Sequence, residues 1–467
     1  MIRLFPSVWC GIGLALTVVG CPEPQQPTDP SDSTDATDHT DVPDPTDLPI
    51  IAEAEDLDPD PDHLQVRLEA APHTFTIGGQ DVEGYAYNGQ VPGPTLRAKL
   101  GDRITAEIVN RLDVPTTVHW HGVHVPYAMD GVTWSSAPIA PGETFIATFT
   151  LDQVGTFWYH PHFDTARQVD LGLYGALIVE DPAEPAADQD IVVIADSWAE
   201  HSARPDEGDH HGLDGTALTW TLNGAVFPTF RPESGTHTRL RFINASNAGY
   251  LALQGGEDWS WIAGDQGLRG LAHTDRELLG PGDRADVSMA AAPGATSLVF
   301  EPYSLNGGEV SSNEPVGELA VQPTGAASIA PFDWGLQVEA PSEDPGYTDV
   351  RYVLQGDSAS KRWTINGETF PDVTVRSVPL DSDVIMEVRN VSATEHPFHL
   401  HGHEFEVLSI NGVPPPTRTI EDTFNVPIRS VLRLQLRADN EGSWMAHCHI
   451  LPHAKGGMMT VLDVVPR

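Results

Sequence analysis

Three stretches of the chain share one order of polar and apolar positions. Near Asn88 it reads YNGQVPGPTLRAKLGDRITAEIVN, near Asn223 LNGAVFPTFRPESGTHTRLRFIN, and near Asn366 INGETFPDVTVRSVPLDSDVIMEVRN. Each opens on Asn-Gly and passes a proline. Each then alternates apolar and polar residues, as a strand with one buried face does, and closes on an asparagine: Asn110, Asn244 and Asn390. The repeats lie 135 and then 143 residues apart, the size of a domain and far longer than a solenoid unit. With 42 Gly and 40 Pro in 467 residues, and Val and Thr recurring in short runs, the pattern predicts an all-β protein rich in turns. Three β-sandwich domains are expected at residues 63–183, 188–326 and 345–467, with 327–344 as a linker.

The front of the chain breaks this pattern. Arg3 precedes an apolar run, Val8 to Gly20, that is too short to span a bilayer comfortably, so residues 1–20 read as an export signal. The run ends Val18-Val19-Gly20-Cys21, which resembles a bacterial lipobox. That resemblance implies a lipid on Cys21, attachment to a membrane, and a periplasmic or cell-surface location. Residues 22–62 hold fourteen Asp or Glu and no Lys or Arg, with almost no large apolar groups. Residues 21–62 are therefore expected to be a disordered, self-repelling tether. The whole chain carries a formal charge of -42, and about -29 remains once signal and tether are set aside, which excludes nucleic acid as a natural partner.

The repeat also serves as a ruler. Nine and eleven residues after the closing asparagine come His119 and His121 in the first unit and His399 and His401 in the third. The second unit has Leu253 and Gly255 there. Metal chemistry is thus expected between domains one and three, with domain two as a spacer or wall. Four motifs carry it: His119-Trp120-His121-Gly122, His160-Pro161-His162, His396-Pro397-Phe398-His399-Leu400-His401-Gly402, and His447-Cys448-His449 followed by His453 and Met458. Twenty His predict about one His-x-His pair by chance, whereas the chain has five. On a strand residues i and i+2 share a face, so each pair offers two imidazoles to one site, and imidazole is a good copper ligand. Cys448 faces the other way and can serve a separate ion with His396, His453 and Met458; two His, one Cys and a weak Met are the ligands of a blue copper site. Cys10 leaves with the signal and Cys21 is spoken for by lipid, so Cys448 would be a lone thiol in an oxidising compartment unless a metal occupied it.

The four motifs, present in the family's order, closely resemble the signatures of the multicopper oxidases, and the resemblance spans about residues 70 to 467. It implies three consecutive cupredoxin-like domains of Greek-key β-sandwich or barrel form. It also implies four copper ions: type 1 held by His396, Cys448, His453 and Met458, type 2 by His119 and His399, and a type 3 pair by His121, His160, His162, His401, His447 and His449. On that resemblance electrons enter at type 1, from a donor docked near the edge of His453 or His396. They pass from Cys448 through His447 or His449 to a cluster that reduces O2 to water. Asp130, nine residues after His121, is the expected proton donor. Ala454 stands where some bacterial relatives carry a Glu, so a second relay is absent or supplied elsewhere. His124 and His403 read as neighbours of the site or as surface residues, and Asn244 and Asn390 as turn residues despite their Asn-x-Ser patterns.

The reductant is less constrained. A phenolic or similar organic donor, as for laccases, is the leading expectation. A metal-ion oxidase acting on Fe(II), Mn(II) or Cu(I) is the alternative. The seven Met form no cluster of the kind cuprous oxidases often carry. A copper-binding protein without turnover is the third reading, against which the complete ligand set argues.

Overall fold

The structure, a computed structural model, describes residues 47–199, 218–268, 276–301, 303–306, 308–309, 315–336, 338–357 and 360–467. The signal-like segment, Cys21 and the tether up to residue 46 lie outside the described residues. Among those described, strands form six sheets of four to six strands and one two-stranded ribbon; helix is confined to short turns such as Thr165–Asp170 and Leu451–Lys455.

The sequence repeat is a structural repeat. The strands that close the three units, Arg103–Asn110, His237–Asn244 and Ser382–Asn390, run parallel to His63–Ile77, Gln189–Ala199 and Val350–Asp357. On their other side they run antiparallel to Thr144–Thr150, Arg284–Ala290 and Val431–Ala438. Each unit adds a second sheet, and the chain crosses between the two in Greek-key fashion. Asn88, Asn223 and Asn366 adopt φ of 54°, 53° and 56°, and glycine follows each, the backbone of a tight hairpin turn. Each side chain also ties its turn to the neighbouring strand: Nδ2 donates to a carbonyl there (Arg67, Val192 or Arg351) and Oδ1 accepts an amide (Glu69, Ile194 or Val353). The closing asparagines are buried and brace the next loop through Nδ2, as Asn110 does with Val114 and Ile139 and Asn390 with Thr394 and Val426. Asn244 and Asn390 thus close strands instead of sitting in turns, and their burial keeps them out of reach of a glycan.

Alternation places Ile104, Ala106 and Ile108 inside, and each fully buried isoleucine contributes about 1.5–3 kcal/mol. One continuous apolar core runs through the first and third units, while the second has its own around Leu240, Phe242 and Val287. The outer units are thus pressed against each other, which brings their histidine strands face to face.

The tether expectation fails for residues 47–62. Leu48 is buried in the core of the second unit, and its amide donates to the Thr229 carbonyl at 2.8 Å. Further on, Ala54 and Ala52 pair with Thr95, and Glu53 meets Arg97 at 2.9 Å. Composition hides this docking because a few apolar residues suffice as anchors where sheet edges leave backbone groups unpaired and arginines meet the acids. The linker is also fastened: Trp334 is buried beneath Arg239, and Glu339 meets Arg418.

Candidate metal centre

Strand register assembles the larger site. His119 lies opposite His160, and His399 opposite His447, each on antiparallel neighbours. Where the first and third units meet, His121 stacks on His399 with 3.8 Å between ring centroids and His119 on His401 with 3.9 Å. His162, His401 and His447 converge through Nε2: His447 lies 3.0 Å from His401 and 3.4 Å from His162. His449 adjoins His121 and His160. All eight sequence-predicted histidines are therefore in one place.

The hydrogen bonds decide which nitrogen of each ring is bare. His119 Nδ1 donates to the Asp130 carbonyl (2.8 Å), His160 Nδ1 to Pro161, His399 Nδ1 to Asp422 and His447 Nδ1 to Cys448 (3.0 Å each). His121 uses the other nitrogen, with Nε2 3.0 Å from Thr423 Oγ1 and 3.1 Å from Asp422 Oδ1. What remains is His119 Nε2, His121 Nδ1, His160 Nε2, His399 Nε2 and both nitrogens of His449, all buried and without a partner. Buried polar atoms are rarely left so, and the cost is about 1–3 kcal/mol each. Burial, with crowding by the neighbouring imidazoles, holds His160, His162, His401 and His449 well below the ordinary histidine range and puts His447 at about 3. Oriented imidazoles whose bare nitrogens are buried together fit metal ions such as copper. Triads whose donor atoms lie within 4.8 Å of one another include His119–His399–His401 and His162–His401–His447.

Asp130 stands beside this site and is fully buried. Each carboxylate oxygen lies 3.1 Å from His401 Nδ1, and Oδ1 is 3.2 Å from His119 Nδ1. Gly131 makes the placement possible. It has φ 73°, and a Cβ there would come within 1.8 Å of the Val118 carbonyl oxygen.

The second site lies in the third unit. Cys448 Sγ is 3.4 Å from His396 Nδ1 and 3.7 Å from His453 Nδ1, and those two nitrogens are 3.3 Å apart. Ser392 Oγ lies 2.7 Å from His396 Nε2 and fixes that ring with Nδ1 toward the thiol. Burial takes His396 down to about 3 and pushes the Cys448 thiol up, so a cation is what would make the thiolate favourable. Met458 is fully buried in the same core cluster. His124 and His403 belong to neither site; His124 Nε2 sits 2.6 Å from the Glu404 carboxylate.

One expectation gains a detail and another is corrected. The rings of the thiol site are covered: His396 and His453 are 0% and 1% exposed, and Trp363 stacks on His453 with 3.5 Å between centroids. Nor is the middle domain a bare wall. Its fully buried Arg284 donates to Asp422 at 2.8 Å through Nη1 and more closely through Nη2, and Asp422 in turn meets His121 and His399. Arginine within a buried strand pattern is a legible flag, since it is almost never buried unpaired. Asp422 and Thr423 carry no such signal.

Comparison with known proteins agrees with this geometry. Residues 69–184 and 343–467 each match a family model described as multicopper oxidase. A multicopper oxidase of Staphylococcus haemolyticus is 30% identical over 81% of this chain and 83% of its own. One from Mycobacterium tuberculosis is 29% identical over 85% and 86%. Among solved structures, a Campylobacter jejuni multicopper oxidase described as a metallo-oxidase superposes with a TM-score of 0.76 at 25% identity, covering 90% of this chain and 96% of that one. A Pediococcus acidilactici laccase gives 0.76 at 27% identity, covering 90% and 94%. The fold and the site define a copper-dependent oxidoreductase with cupredoxin-like domains. The chain belongs to the multicopper oxidase family, whose members use O2 and a reductant.

Proposed function

We propose that this protein couples one-electron oxidation of a phenolic or similar organic donor to the four-electron reduction of O2 to water. Four coppers are assigned to the two sites. His396, Cys448, His453 and Met458 hold type 1, His119 and His399 hold type 2, and His121, His160, His162, His401, His447 and His449 hold the type 3 pair. Bound copper supplies the one-electron redox steps and the site of O2 reduction. The observation that carries the reading is the pairing of a buried thiol triangle with a ring of bare imidazole nitrogens, joined by one dipeptide link on each side of Cys448.

The chain's own groups have definable tasks. The backbone from Cys448 to His447 and His449 spans the two sites covalently. Carbonyls of Asp130, Pro161, Asp422 and Cys448 hold rings in orientation. Asp130, touching His119 and His401, is placed to hand on a proton. Trp363 keeps water off His453 and makes the donor deliver its electron through or beside an indole. A metal-ion donor, Fe(II) or Mn(II), is the second reading, favoured by the chain's charge of -42. Export and lipid attachment at Cys21 complete the proposal, resting on the lipobox-like Val18-Val19-Gly20-Cys21.

The test is O2 uptake by copper-loaded protein with a phenol and with Fe(II) or Mn(II), using Cys448→Ser as control. Uptake lost in the variant supports the oxidase, and the rate ratio selects the donor class. Full copper loading without uptake above the variant leaves a copper-binding protein and ends the oxidase reading.

A further inference from the structure

On the Met458 side of the thiol site, two aromatic rings from different units meet at the surface. Trp134 is 40% exposed, the one exposed tryptophan among the described residues. Its ring lies 5.6 Å from that of half-buried Phe370, inclined at 56°. Trp134 comes from the first unit, on the loop that follows Asp130 and Gly131, and Phe370 comes from the third. A lone apolar side chain in water is ordinary. This one is set apart by how it is held and by what lies beneath it.

The loop is braced. The amides of Ser135 and Ser136 both donate to the Val132 carbonyl at 3.1 Å, and Ser135 Oγ joins them at 3.0 Å. Tyr127 donates its hydroxyl to the Trp134 carbonyl at 3.3 Å, while its ring packs edge-on against buried Trp444, 5.5 Å away. The indole is thus presented with little freedom left to lose on binding. Phe370 is tied to the thiol site. Its amide donates to the Gly457 carbonyl at 3.2 Å. A Cβ at Gly457 would come within 2.2 Å of Thr369 and 3.1 Å of the Trp363 carbonyl oxygen. Met458 follows, its amide donating to the His453 carbonyl at 3.0 Å and its carbonyl accepting the Cys448 amide at 3.2 Å. One hydrogen bond and one peptide link therefore join Phe370 to Met458, whereas the ring of His453 is covered by Trp363.

We propose that Trp134 and Phe370 form the docking platform for a phenolic donor, which lays its ring against the exposed indole and passes its electron beside Trp363 to the thiol site. The proposal rests on the oxidase reading and names where its organic donor binds. An aromatic face suits a flat ring and offers little to a hydrated metal ion, so the platform also selects the class of donor. Each phenol gives one electron to the thiol site and its hydroxyl proton to bulk water, and leaves as a phenoxyl radical. Four phenols match one O2 reduced to two waters. Neither ring of the platform titrates, so its share lies in holding the donor.

The experiment follows O2 uptake by copper-loaded protein with two donors: guaiacol, which has a ring to stack, and ferrocyanide, which has none. Loss of one aromatic contact in Trp134→Ala should raise KM for guaiacol about fivefold, with copper content and blue absorption as in the unaltered protein. KM for ferrocyanide should move by less than about twofold. Trp134→Phe should recover most of the loss, and Phe370→Leu should raise KM for guaiacol as Trp134→Ala does. An unchanged KM for guaiacol, or an equal loss with both donors, overturns the proposal and leaves the oxidase intact. Unaltered protein that binds copper yet consumes no O2 with either donor removes the oxidase reading and the platform with it.

Discussion

Asp130 and His401, 271 residues apart, meet across the joint between the first and third units, with both carboxylate oxygens 3.1 Å from the ring's Nδ1. The same residue reaches His119 through its backbone carbonyl and its side chain. A carboxylate so placed orients two rings and can also pass a proton toward the cluster. Asp130→Asn keeps the shape and removes a group able to take up and release a proton. Turnover should fall about a hundredfold while the blue absorption and its rate of anaerobic reduction stay as they were. Equal loss of both rates would assign Asp130 to architecture alone.

Trp363 lies flat over His453 at 3.5 Å and is itself almost fully buried. Removing the indole shortens the distance between a donor and the thiol site and opens the ring edge to solvent. Trp363→Ala should cost about 3–5 kcal/mol in stability, measurable by denaturant unfolding. It should also speed bleaching of the blue absorption by bulky phenols more than by small ions. Slower bleaching by every donor would mean that electrons travel through the indole.

The histidines were legible because a strand's period of two puts His-x-His on one face, and because the repeat supplied a register in which domain two had lost its ligands. The three Asn-Gly turns were legible for the same reason: φ near 55° at Asn88, Asn223 and Asn366 answers a local steric demand that sequence displays. Contacts between single residues far apart in the chain had no such signature: a buried arginine marked Arg284, but nothing marked its partner. Arg284 and Asp422 are 138 residues apart, and Trp363 reaches His453 only through the packing of a hairpin. The anchoring of residues 47–62 was hidden by composition, since one buried leucine and a few backbone bonds outweigh an acidic, proline-rich average.

That anchoring can be measured. Leu48 is 6% exposed in the core of the second unit, and Arg97 and Arg231 meet Glu53 and Asp47. Leu48→Ala should destabilise the protein by about 2–5 kcal/mol. A chain beginning at residue 63 should melt below one beginning at residue 47, whereas a free tether would leave the two melting points equal.

Asp196 makes stability depend on pH. Its carboxyl lies at the joint of the first two units, accepting the Tyr174 hydroxyl at 2.6 Å and the Ser197 amide at 2.7 Å. Burial, with repulsion from Asp170, raises its pKa from 3.8 to about 8. The folded protein therefore holds a proton that the unfolded chain has released, throughout the interval from about 4 to about 8. Stability from this group is fully present below the unfolded value and is lost as pH rises through the folded one, at up to about 1.4 kcal/mol per pH unit. Asp196→Asn cannot titrate and keeps an acceptor for Tyr174. Its melting temperature, measured against the unaltered protein, should gain steadily from pH 5 to pH 8 and level off above that. A difference that stays constant across this range would mean that Asp196 is already ionised in the folded protein.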